Sequence, residues 1–153
     1  MRHDFKKGIT LLELAIVMAV VAIVMSGVFI TLRTGNDDYR TLLAASVQLQ
    51  ADMRYVQRRA IMEGRNVGIS FDRVNNRYSI VYESPLTVLR TESLPDGVVI
   101  SHITRVRLVY LPRGTPSQGG FSVLLLAGSY GRSITVVASG GRVRINEASG
   151  GNR

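Results

Sequence analysis

There is no cysteine anywhere in the 153 residues. The fold therefore has no disulfide to staple it and no thiolate to hold a metal, and the redox compartment leaves no trace in the sequence. Histidine is almost as scarce, with His3 and His102 the only two. His102, set between Ile100 and Ile103, reads as a structural residue, and without cysteine beside it no transition-metal site is expected. Catalytic signatures are missing as well. Gly128-Ser129-Tyr130-Gly131 does not have the spacing of a G-x-S-x-G nucleophile elbow, and there is no P-loop. No internal repeat or low-complexity linker divides the chain. These absences leave no catalytic constellation and no cofactor to expect. The chain reads as something other than an enzyme.

Acid is scarce in one region. From Gly97 to Arg153 seven arginines (105, 107, 113, 132, 142, 144 and 153) stand against one carboxylate, Glu147. That net +6 equals the net charge of everything after Gly8. Beyond Lys7 every cationic side chain is an arginine, a residue suited to bidentate phosphate contact but also common on strand surfaces.

What the sequence has in excess is apolar length near its start. Residues 14–32 form an uncharged run of nineteen, preceded by Lys6-Lys7-Gly8-Ile9-Thr10-Leu11-Leu12-Glu13. At about 1.5 Å per residue such a run spans a bilayer core of about 30 Å. A secretory signal does not fit, because its apolar core is shorter and ends in a small-x-small site, which Thr31-Leu32-Arg33-Thr34 does not offer. Arg2, Lys6 and Lys7 precede the run, whereas Arg33 alone follows closely, so the N-terminus is expected in the cytoplasm and residues 34–153 outside. A carboxylate beside a membrane-length segment is costly, which makes Glu13 a functional candidate. The plainer reading is an acid resting at headgroup level.

Gly8-Ile9-Thr10-Leu11-Leu12-Glu13-Leu14 closely resembles the class III leader junction of type IV pilins and pseudopilins. The resemblance implies cleavage between Gly8 and Ile9 by a prepilin peptidase, N-methylation of the new terminus at Ile9, and retention of Glu13 for assembly. Ile9 stands where phenylalanine is usual. A freed α-amine has an ordinary pKa of about 7.7–8 and is largely cationic at neutral pH. A carboxylate four residues along a helix lies within a turn of it, in the same chain or in a staggered neighbour. The resemblance implies the neighbour, with Glu13 recruiting and registering the next subunit.

Downstream, Thr34-Gly35-Asn36-Asp37-Asp38 interrupts the apolar pattern and offers a place to bend. Leu42, Leu49, Met53, Val56 and Ala60 then repeat as an amphipathic stripe, with Arg40, Gln48, Asp52 and Arg59 read as off it. Residues 9–63 are thus expected as one long helix, capped near Gly64. Beyond it the period becomes two. Strands are expected at 66–72, 77–83, 86–92, 98–103, 105–111, 121–127, 133–138 and 142–145, with a turn at Leu94-Pro95-Asp96-Gly97. The expected class is α+β: a long membrane-spanning N-terminal helix, then about eight short antiparallel strands in two packed sheets. The implied divisions are a leader at 1–8, a transmembrane half-helix at 9–33, an amphipathic half at 34–64 and a β domain at 65–153.

Arg59-Ala60, Gly64, the Leu94–Gly97 turn, Pro112-Arg113-Gly114 and Gly141-Arg142-Val143-Arg144, in that order, resemble the GspH/FimT family. That family holds the H-type pseudopilin of type II secretion and a minor pilin of type IV pili. It implies a structural subunit at the bacterial inner membrane whose partners are other pilin-like subunits and the prepilin peptidase. The alternative is a minor pilin for DNA uptake, because a family member serving natural transformation binds DNA through a C-terminal Gly-Arg-x-Arg motif that residues 141–144 match. In a strand Arg142 and Arg144 share a face, with Val143 and Ile145 turned inward, and Arg105-Val106-Arg107-Leu108 repeats the pattern. Arg142, Arg144, Arg105 and Arg107 are therefore the candidate contacts to double-stranded DNA, against the plainer reading of a solvated strand face.

Overall fold

The computed structural model describes residues 11–148, with side chains described at 11–25 and 37–148. The chain divides into two units, Met1–Asn36 and Asp37–Arg153. Helix α1, Leu11–Glu63, includes residues 34–38, where the sequence suggested an interruption. It stops at Gly64, whose φ of +63° is the left-handed conformation that ends helices and that a side chain disfavours.

In the first unit the side chains of residues 11–25 are exposed on every side, Leu11 at 87%, Met18 at 64% and Ile23 at 73%. A helix apolar all round is one that something else must cover. Among the described residues no helix is long and apolar enough to cross a membrane. The fifteen residues of this helix portion whose side chains are described rise about 22 Å, short of a bilayer core, and the expected span of 9–33 extends past them at both ends.

The second unit has its own core. Leu42, Leu49, Met53, Val56 and Ala60 are all fully buried, as their spacing predicts. Asp52 is the exception to that reading. It was expected off the stripe, yet it lies three residues after Leu49 and four before Val56, and the helix turns it inward to 4% exposure. Its carboxylate accepts the Tyr78 hydroxyl at 2.6 Å and pairs with Arg90. Burial, with the Asp52 hydrogen bond second, pushes the Tyr78 phenol well above its ordinary range.

Eight strands follow: β1 Val67–Asp72, β2 Arg77–Glu83, β3 Leu86–Ser93, β4 Val98–Ile103, β5 Arg107–Tyr110, β6 Phe121–Ala127, β7 Tyr130–Val136 and β8 Val143–Ala148. They form two four-stranded antiparallel sheets, β3-β2-β1-β5 and β4-β6-β7-β8. The alternating burial of β6 places Phe121, Val123, Leu125 and Ala127 in the core. Phe121 stacks on Phe71 of the other sheet with ring centroids 5.4 Å apart, so the two inner faces meet. Asn76, in the β1–β2 turn, accepts from the Ile100 amide and donates to the Val98 carbonyl, tying that turn to β4. β7 begins earlier than its composition suggested, because a two-residue turn at Gly128-Ser129 lets Tyr130 pair with Ala127.

Candidate functional site

One face of α1 carries Gln50, Arg54, Gln57 and Arg58, an i, i+4, i+7, i+8 stripe. The two glutamines reach across to the end of the chain. Gln50 Nε2 donates to the Val143 carbonyl at 3.3 Å. Gln57 Nε2 donates to the carbonyls of Gly114 at 2.7 Å and Gly140 at 3.2 Å. Those bonds lay the start of β8 beside the helix, and Tyr110, fully buried, adds a hydrogen bond to the Gly141 carbonyl.

The result is a groove of about 320 Å³ lined by Arg54, Gln57, Arg58, Arg142, Val143 and Arg144. Val143 is buried and the four arginines are exposed, as the strand alternation predicts for Arg142 and Arg144. No acid lines it. Of the fourteen arginines between Asp37 and Ala148, nine donate to a protein acceptor. The other five, among the described residues, have no protein partner; Arg40 is one, and the remaining four are those of the groove. The nearby acid Glu63 is already engaged. It accepts from the Tyr82 hydroxyl and from Arg59, both at 2.6 Å, and these bonds, Tyr82's first, hold its carboxyl below the ordinary range.

The other sequence candidates lie elsewhere. Arg107, on β5, pairs with Glu83 at 3.3 Å. Arg105 precedes that strand instead of starting it, and donates to the Gly120 carbonyl at 2.7 Å. Neither lines the groove. His102 is exposed on β4. Glu13 lies in the first turn of α1, while Gly8 and Ile9 fall outside the described residues. Arg54 and Arg58 were not singled out from the sequence. The only available signal was the polar stripe they share with two glutamines.

Comparison with known proteins decides the kinship. A family model described as type II transport protein GspH matches residues 45–141, more than half of the chain. The chain belongs to the GspH family. A second model, a prokaryotic N-terminal methylation motif, matches residues 5–29, which include Gly8, Ile9 and Glu13. This GspH-family protein is 31% identical to competence protein ComGD of Bacillus subtilis over 141 residues, covering 92% of this chain and 93% of that one. Its fold resembles the type IV minor pilin FimU of Pseudomonas aeruginosa, with TM-score 0.60 and 18% identity over 71% of this chain and 90% of that one. It also resembles the minor pseudopilin EpsH of the Vibrio cholerae type 2 secretion system, with TM-score 0.60 and 12% identity over 69% and 96%. The protein is a type IV pilin-like member of the GspH/FimT type, a minor pilin or pseudopilin with an α+β fold.

Proposed function

We propose that this GspH-family chain is a structural filament subunit and a substrate of prepilin peptidase, not itself an enzyme. The peptidase cuts between Gly8 and Ile9, Ile9 becomes the methylated terminus, and residues 9–33 hold the chain in the bacterial cytoplasmic membrane with the N-terminus inside. Other pilin-like subunits then pack on the helix, with Glu13 setting the register. The observation that carries this reading is the apolar surface of residues 11–25, exposed all round the helix, which a membrane and then a helical filament core would cover in turn. The methylation-motif match across the same residues supports it. The test is fractionation of cells expressing the tagged full-length chain. The processed chain is expected in the membrane and in sheared filaments, and a chain recovered only from the soluble fraction overturns the reading.

A second reading is favoured by the arginine groove and by the likeness to a competence protein over nearly the whole chain. Here the filament serves DNA uptake, with Arg142 and Arg144 as contacts to double-stranded DNA. Deleting the gene would then abolish uptake of labelled DNA, and point variants at Arg142 and Arg144 would lower uptake while filaments still form. Undiminished uptake in those variants would remove this reading and leave the first intact.

A further inference from the structure

Resting on the DNA-uptake reading, we propose that Arg54 and Arg58 of α1 form one composite site with Arg142 and Arg144, gripping the phosphate backbone of double-stranded DNA without reading its bases. The helix thus supplies half of the nucleic-acid contact.

Four guanidiniums line one groove, and no described protein group neutralises any of them. Folding does not account for this arrangement, since like charges one helical turn apart cost a few tenths of a kcal/mol each. The remaining arginines among the described residues of this unit, Arg40 apart, are all engaged by carboxylates, carbonyls or hydroxyls. The two pairs also repeat at similar intervals. Residues i and i+4 of a helix are separated by about 6 Å along its axis, and residues i and i+2 of a strand by about 6.6 Å. Both intervals are close to the spacing of successive phosphates along a nucleic-acid strand. Arginine is the cation that forks two N–H groups onto a phosphate. The glutamine bonds to Val143, Gly114 and Gly140 hold the two rows together before any ligand arrives.

The lining also discriminates among polyanions. No aromatic side chain is in it, so unpaired bases find no stacking platform, which disfavours a single strand. Its one apolar residue, Val143, is buried, so there is nothing to insert among lipid chains. An acidic protein would find no aromatic anchor at the centre of the contact. A duplex backbone requires none of these.

The experiment uses the full-length chain in non-ionic detergent and a labelled mixed-sequence duplex, with affinity followed by anisotropy across a salt series. Four neutralised phosphates give a log–log salt slope of about −3.6. Arg54→Ala/Arg58→Ala is expected to weaken binding more than tenfold and make the slope shallower by about two, as is Arg142→Ala/Arg144→Ala. Arg40→Ala should bind as the parent does. Arg54→Gln/Arg58→Gln gives the same readout if the alanine pair does not melt cooperatively. If only the Arg142/Arg144 pair matters, the composite site is wrong and the DNA reading survives. If the parent binds no duplex at low salt, the DNA reading fails and the composite site with it. Preference for an unpaired strand or for anionic phospholipid vesicles over the duplex also overturns the proposal.

Discussion

Gln57 and Gly141 meet at the joint between helix and C-terminal strand, and the fit leaves no room for a side chain on the glycine. A Cβ there would lie 2.6 Å from Gln57 Nε2 and 2.4 Å from the Gly114 carbonyl oxygen, and the residue's φ is +63°. Gly141→Ala is therefore expected to cost about 1–3 kcal/mol through backbone strain and the displaced joint. It should lower Tm, and it should also weaken duplex binding although no arginine is removed. A variant that melts and binds as the parent does would show that the joint does not position the groove.

Asp52 gives a stability test remote from the groove. Asp52→Ala strands the buried Tyr78 hydroxyl, while the half-exposed Arg90 keeps Glu92, at an expected cost of about 1–3 kcal/mol. Asp52→Asn still accepts a hydrogen bond and should lose less. Tyr78 adds a dependence on alkaline pH. Its folded pKa is raised, so the unfolded chain ionises first, and stability present below about pH 10 declines as pH rises above it. Tyr78→Phe should lower Tm at neutral pH but flatten that alkaline decline. The two melting curves, compared at neutral and alkaline pH, check both expectations.

The helix stripe and most strands were legible because burial follows period: Leu42 through Ala60 on one helix face, and β2 at residues 77–83 as read. Asp52 misled because its polarity outweighed its spacing, although i+3 from Leu49 placed it on the buried face. The Arg105–Arg107 pair looked equivalent to Arg142–Arg144, but its partners, Gly120 and Glu83, are distant in sequence and no local pattern announces them. Arg54 and Arg58 escaped for the same reason. Which side chains stand beside the start of β8 depends on how residues some ninety positions apart are brought together, as Gln50 and Val143 are.

The leader junction is tested by mass. Gly8→Val should leave an uncut precursor, because the scissile bond is expected to need a residue of little bulk and free backbone. The parent should give a mature chain beginning at methylated Ile9, and mass analysis of the purified N-terminus reads both results. A chain beginning at any other residue would remove the class III junction, whatever the family.

Glu13 is expected to matter for assembly more than for insertion. A carboxylate at membrane level disfavours insertion, so Glu13→Ala should be inserted and processed at least as well as the parent. In the filament, however, the cationic N-terminus of an adjoining subunit would then lie in a low-dielectric core without its anion, and a lone buried charge there costs several kcal/mol. Glu13→Ala should accordingly accumulate in the membrane and be strongly depleted from sheared filaments. Glu13→Gln should be depleted nearly as much, since it keeps the shape and loses the charge, whereas Glu13→Asp should retain part of the wild-type level. Blots of membrane and sheared fractions separate these outcomes. Equal filament incorporation of all three variants would mean that Glu13 rests at headgroup level and takes no part in subunit registration.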